Sequence, residues 1–189
     1  MIPQEEEYEI VRSVLAGDTN QFAKLVNEYQ QIVANLAYKL VGNRFEIDDI
    51  VQQVFLELYT SLSRFRFESK LSTFIYRITV NVIGKMYSKE SRYVAYDSNI
   101  LENTPEGLTE EEKIIHEEQR QKLRRAIGRL KYEQRTALVL FTYDEFSYQD
   151  IASVMQVSLS KVESLIFRAK KNLQKMLTGV SAESDQENK

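Results

Sequence analysis

The sequence predicts an all-α protein: two small helical domains joined by a linker, the C-terminal one a helix-turn-helix. Three observations predict it. Apolar residues recur at steps of three and four along most of the chain. Only two Pro and six Gly in 189 residues leave few of the breaks that strands and hairpins need. The stretch 88–108 is polar, holds Thr104-Pro105 and Gly107, and separates two periodic halves.

In the first half, Asp18 followed three residues on by Gln21 resembles a capping box. Phe22, Leu25, Val26, Tyr29, Ile32, Val33, Leu36 and Leu40 then form a helical stripe that Gly42-Asn43 ends. Ile47, Ile50, Val51, Val54, Phe55, Leu58 and Leu62 repeat the pattern. A basic, aromatic loop over 64–70 leads to a third stripe, Leu71, Phe74, Ile75, Ile78, Val82, Ile83 and Met86. Three amphipathic helices with short connections make a bundle over about 1–90. Residues 91–118 form an acidic linker, and Thr109 with Glu112 opens a long helix toward Leu130. On it Ile115, Gln119, Leu123, Ala126 and Ile127 face inward in whole or part. Shorter helices follow at about 133–143, 147–154 and 158–177, in a C-terminal domain over 119–178 with a polar, frayed tail over 179–189.

Composition excludes several classes. Without Cys there is no disulfide scaffold, no cysteine-bound zinc and no thiol chemistry. No apolar run approaches the roughly 18–20 residues of a membrane span, and the N-terminus is acidic, the reverse of a signal peptide. A cytoplasmic protein is expected. The net charge of −3 is unevenly spread. Arg64 to Lys89 carries six bases against Glu68; Asp97 to Glu118 carries eight acids against Lys113; Ser158 to Leu177 carries five bases against Glu163. Two basic surfaces separated by acid are the footprint of phosphate binding, although solvated helix faces give a similar count.

Enzyme chemistry has no foothold. Asp48 and Asp49 are adjacent, so on a helix they point about 100° apart and cannot share a substrate. His116 lies in an acidic run, where one imidazole among carboxylates of no fixed geometry makes a poor metal site. No Gly-rich phosphate loop or nucleophile motif occurs, and neither metal nor cofactor is expected.

The strongest local pattern runs from Phe146 to Arg168. Ser147 with Asp150 caps a short helix whose Ile151 and Ala152 face inward; Met155-Gln156-Val157 is a tight turn. Ser158, or Ser160 with Glu163, then caps a longer helix that buries Leu159, Val162, Leu165, Ile166, Ala169 and Leu173. Its polar face carries Lys161, Ser164, Phe167, Arg168 and Lys171, a set suited to a major groove. A helical hairpin with a basic outer face is the plainer alternative.

With that pattern on the page, the chain resembles the extracytoplasmic-function (ECF) class of bacterial RNA polymerase sigma factors. The segment 47–59, IDDIVQQVFLELY, is similar to the family's polymerase-binding helix. The segment 71–81, LSTFIYRITVN, is similar to its promoter-melting helix, and 130–140, LKYEQRTALVL, with the helix-turn-helix resembles its upstream-element reader. The resemblance implies a subunit that binds core polymerase, recognises promoter DNA and opens it, without being an enzyme itself. It also implies an anti-sigma partner. Polymerase contacts are expected at Asp48, Asp49, Gln52, Gln53, Phe55, Glu57 and Tyr59, an acidic and amide-rich face suited to another protein's helices. Melting contacts are expected at Arg64, Arg66, Phe67, Lys70, Tyr76, Arg77, Asn81 and Lys85, because aromatics stack on bases and cations track the backbone. The exposed loop 65–72 and Asn81 are candidates to hold a flipped base. Upstream contacts are expected at Ser158, Ser160, Lys161, Ser164, Phe167, Arg168 and Lys171.

The chain departs from the family pattern in places. Phe74 stands for a usual Trp, Gln53 for an acid, Lys85 for a frequent Asp, and Lys131 for a frequent Pro. In the second helix of the motif Ser160 stands for Gly, Glu163 for a base and Leu165 for Arg, so no particular promoter sequence carries over. Two rivals remain. A DNA-binding regulator acting outside polymerase leaves the Arg64–Lys89 surface and the 47–59 helix without a task; a helical protein adaptor predicts no salt-dependent DNA binding.

Overall fold

Eight α-helices and no strand make up the residues that the computed structural model describes, 2–42, 45–89 and 109–178. Helix α1, Gln4–Leu15, has no counterpart in the sequence expectations. Its buried residues are Glu7, Ile10, Val11 and Val14, too short a stripe among charges to stand out. Glu5, Glu6 and Glu7 occupy the first turn, where the helix dipole favours acids. Glu7 is buried, and its carboxylate accepts from the Tyr29 hydroxyl. Burial pushes the Glu7 carboxyl above its ordinary value; the Tyr29 bond pulls it back and Glu28 adds to the rise.

Helix α2, Phe22–Val41, follows a short 3₁₀ turn at Thr19–Gln21. That turn sets Asp18 four residues ahead of the helix, too far to reach its free amides. The capping box expected at Asp18 is therefore not formed; Gln21 Nε2 donates to Asp18 Oδ2 at 3.2 Å instead. Gly42 ends α2 with φ +62°, a left-handed backbone that favours glycine. Helix α3 spans Ile47–Ser61 and α4 Leu71–Lys89. Leu25, Leu36, Leu40, Ile50, Leu58, Leu62, Leu71, Ile75 and Ile83 are fully buried between them. Each such side chain contributes roughly 1.5–3 kcal/mol relative to exposure.

In the second half α5 spans Glu110–Gly128, α6 Tyr132–Thr142, α7 Tyr148–Met155 and α8 Leu159–Thr178. Ser147 and Asp150 form the complete reciprocal capping box. Gln156 takes the left-handed conformation at φ +55°, and Val157 N–H closes the turn on Ala152 O at 3.1 Å. Ser158, rather than Ser160, caps α8: its hydroxyl accepts from Lys161 N–H at 3.2 Å. Two residues expected inside lie outside. Gln119 is exposed on α5, and Leu159 is 43% exposed because it begins α8 before the buried row Val162, Leu165, Ile166 and Ala169.

The two halves touch. α6 and α7 lie against α4, and one buried cluster runs from Ile10 through Ile83 to Ile166. A smaller cluster of Leu130, Leu138 and Ala169 holds α8 to the α5–α6 corner. Of the expected linker over 91–118, residues up to 108 lie outside the described residues, as does the tail over 179–189; from Glu110 the chain is in α5.

Candidate nucleic-acid interface

Three surfaces carry the predicted site residues, and helix geometry decides what each can present. On α3, Asp48, Asp49, Gln52, Gln53 and Tyr59 are exposed. Glu57 is half-buried and accepts from Lys85 Nζ at 2.9 and 3.2 Å. Phe55 is a correction: at 6% exposure it belongs to the core, edge-on to Phe22 at 6.4 Å, and supports the surface from beneath. Sequence reasoning passed over Leu56, which is 57% exposed in the middle of this face. Its step of three from Gln53 and Tyr59 was the available signal. Phe22 packs against Tyr59 at 5.1 Å, so Leu56 and Tyr59 form an apolar strip beside the acids.

The loop before α4 is less exposed than expected. Phe65 is 5% exposed and Leu71 is fully buried; Phe67 and Ser72 are half-buried, and Arg66, Glu68, Ser69 and Lys70 are the exposed residues of 65–72. Arg64 is exposed just ahead of it. The loop is propped by aromatics: Phe65 meets Phe67 at 5.0 Å and Phe74 at 5.4 Å, and Tyr8 of α1 meets Phe67 at 5.1 Å. Phe67 holds φ +58°, a costly conformation for a bulky residue, and its ring has the Arg12 guanidinium over it at 5.2 Å. The Tyr8 hydroxyl donates to Ser69 O at 3.2 Å.

Along α4, Arg77, Asn81 and Lys85 recur at steps of four and share one stripe. Asn81 and Lys85 are exposed; Arg77 is half-buried, its Nε without a hydrogen-bond partner. The adjoining stripe, Tyr76, Val80, Gly84 and Tyr87, is covered by the second half of the molecule. Tyr76, predicted as a melting contact, packs its ring on Phe146 at 4.8 Å and donates to Asp144 Oδ1 at 3.3 Å. Burial, with Asp144 beside it, pushes the Tyr76 hydroxyl well above the usual tyrosine range.

On α8 and its cap, every predicted residue is exposed: Ser158, Ser160, Lys161, Ser164, Phe167, Arg168 and Lys171. Phe167 is 67% exposed, unusual for a phenyl ring with no covering element. Lys161 reaches Glu133 of α6 at 3.4 Å. Among the described residues no cluster of His, Asp or Glu could hold a metal ion, and no helix is long and apolar enough to cross a membrane.

Comparison with known proteins gives the same two blocks in the same order. A model of sigma-70 region 2 matches residues 25–93, and a model of sigma-70 region 4 matches residues 120–173. The chain is 31% identical over 186 residues to the RNA polymerase sigma-H factor of Pseudomonas aeruginosa, covering 94% of this chain and 96% of that one. It is 33% identical over 175 residues to the ECF RNA polymerase sigma-E factor of Escherichia coli, covering 85% and 88%. Among solved structures, the sigma factor RpoE in complex with the anti-sigma factor NepR from Bartonella quintana has the same fold. Its TM-score is 0.61 at 21% identity, over 83% of this chain and 96% of that one.

Proposed function

The chain belongs to the ECF class of bacterial RNA polymerase sigma factors, and from that membership we propose how its surfaces divide the work. It is a sigma factor that directs promoter recognition by RNA polymerase. The α3 face of Asp48, Asp49, Gln52, Gln53, Leu56 and Tyr59 docks on core polymerase. Acids there give orientation, and the Leu56–Tyr59 strip gives the apolar burial that surface charges alone do not supply. The Arg77, Asn81 and Lys85 stripe, with Arg64, Arg66 and Lys70, takes the separated strand. Asn81 offers a donor and an acceptor to a base edge, while the cations follow phosphate.

The polar face of α8 reads upstream duplex. Arg168 has the geometry for a two-pronged contact to guanine or phosphate, and Lys171, further along, finds phosphate. The chain itself carries no chemistry; bond formation belongs to the polymerase. It works in the cytoplasm, and an anti-sigma partner holds it inactive, as NepR accompanies RpoE in the related complex.

The single observation that carries this reading is that one chain holds both sigma-70 blocks in order, with the polar face of the second helix of the helix-turn-helix exposed. Reconstitution with bacterial core polymerase tests it. A promoter library should be transcribed from defined start sites that vanish when the chain is omitted. DNA binding by the free chain without any polymerase-dependent start would instead favour a regulator acting outside polymerase.

A further inference from the structure

Helix α1 lies ahead of residues 25–93, which match the sigma-70 region 2 model, and it has two faces. One is the buried row Glu7, Ile10, Val11 and Val14, packed toward α2. The other is Gln4, Tyr8 and Arg12, a stripe at steps of four whose Tyr8 and Arg12 meet the loop before α4. The Tyr8 ring stands edge-on to Phe65 at 5.9 Å and to Phe67 at 5.1 Å. Its hydroxyl accepts from Gln4 Nε2 and donates to Ser69 O at 3.2 Å, so it ties α1 to the far side of the loop. Arg12 lays its guanidinium over the Phe67 ring at 5.2 Å and is itself paired with Glu9 one turn earlier.

These contacts converge on the strained residue of the loop. Phe67 holds φ +58°, and a bulky residue stays left-handed only where its surroundings over-determine it. Phe65 and Leu71 are buried, so the loop is a short span between two fixed ends, with Arg66, Glu68, Ser69 and Lys70 exposed. In such a span, relaxing one φ to the ordinary negative range turns each later exposed group in a new direction. The Phe67 ring, expected from the sequence to meet DNA, is half-buried and has Tyr8, Phe65 and Arg12 around it.

We propose that α1 is a clamp on the loop: Tyr8 and Arg12 are positioning residues that hold Phe67 and Ser69, and thereby fix where Arg66 and Lys70 meet the separated strand. The Phe67 ring is the handle by which α1 grips the loop, not a platform for a base. Neither Tyr8 nor Arg12 touches DNA; Arg12 is already neutralised by Glu9 and faces a ring. The proposal rests on the sigma-factor reading of this loop and extends it to a helix outside the matched residues.

Limited trypsin digestion of the full chain tests the clamp without polymerase, since cleavage reports how often a segment opens. Arg66 and Lys70 are exposed cut sites in the loop, and exposed Arg168 on α8 is a distant reference. Tyr8→Ala should speed cleavage after Arg66 and Lys70 about ten-fold relative to Arg168. Tyr8→Phe keeps the ring and loses the hydroxyl, so the cut after Lys70, next to Ser69, should gain more than the cut after Arg66. A loop-to-Arg168 ratio unchanged in Tyr8→Ala overturns the clamp, whether both rates rise together or neither moves.

The second arm uses the reconstituted holoenzyme and a promoter recovered from the library, made with each of the four bases at every unpaired position. Tyr8→Ala should bind the closed duplex within about two-fold of the parent and lose about five-fold in preference at one unpaired position. Tyr8→Phe should restore part of that preference. Arg12→Ala should also flatten the preference while leaving the salt slope of strand binding unchanged, because a cation that only positions releases no counterion. A slope lower by about 0.7 makes Arg12 a phosphate contact and overturns its role in the clamp. A loosened loop with full base preference overturns the positioning role. A parent chain that gives no defined starts sinks the sigma reading alone, and the tryptic ratio still decides the clamp.

Discussion

The sides of α8 and α4 proposed to meet DNA are built on opposite plans. α8 buries one row, Val162, Leu165, Ile166 and Ala169, and leaves the opposite side exposed from Lys161 to Lys171. α4 is covered on two sides: Ile75, Ile78, Val82 and Ile83 face the first half, and Tyr76, Val80, Gly84 and Tyr87 meet the second. Among the described residues the stripe Arg77, Asn81, Lys85 and Ser88 is left, and Arg77 is already half-buried. A helix that reads duplex needs one supported face. A helix that must be both core and strand contact has its functional residues confined to a narrow stripe, where a partner on either side changes what is available.

The largest effect should come from unlocking the covered side. Truncating a well-packed large aromatic costs roughly 3–5 kcal/mol, while deleting only a hydroxyl costs about 0.5–1.5 kcal/mol. Tyr132→Ala should therefore split calorimetric unfolding into two transitions, the half containing α5–α8 melting first. Tyr132→Phe should keep a single transition, since it retains the stack on Tyr87. A single, unshifted transition for Tyr132→Ala would mean that the halves lean on each other without coupling.

The bare helix should respond in DNA binding and not in stability. Arg168→Ala should cost roughly 1–3 kcal/mol on a specific promoter and relax preference at one upstream position. Lys171→Ala should weaken all sequences alike and lower the salt slope by about one counterion. Equal losses on specific and scrambled DNA for both, in a salt titration of the holoenzyme, would reduce α8 to a positioning element.

The same contrast explains how much the sequence disclosed. α8 and its turn were legible because their determinants are local: a capping box at Ser147, a left-handed Gln156, an amphipathic period. All seven α8 candidates follow from that period and are exposed. α1 was not legible, since its short apolar row is marked as helix by burial against α2 and not by its own pattern. Phe55, expected as a polymerase contact, and Phe65, in a loop expected to be exposed, are core because what an aromatic packs on, here Phe22 and Phe67, is not written in its neighbours along the chain. The covering of Tyr76 depends on residues 68 and 70 positions away, Asp144 and Phe146, a separation no periodicity reports.

The smallest expected effect concerns the ion pair that links the α3 and α4 surfaces. Glu57, on the proposed polymerase face, holds Lys85 of the strand stripe at 2.9 and 3.2 Å, with the lysine side chain 63% exposed. Exposed ion pairs contribute only about 0.2–1 kcal/mol, so Glu57→Gln should barely move thermal unfolding. Its effect on charge is another matter, because a lysine already neutralised by a carboxylate displaces no counterion when phosphate arrives. Freed of Glu57, Lys85 adds one cation to the stripe, and single-strand binding should steepen with salt by about 0.7 in the log–log slope. The double variant Glu57→Gln with Lys85→Ala should return the slope to that of the parent chain. In the holoenzyme, polymerase residues that draw Glu57 away would achieve the same release, so docking at α3 would raise the strand affinity of α4. An unchanged slope in Glu57→Gln would separate the two surfaces electrostatically and leave Arg77 and Asn81 as the working part of the stripe.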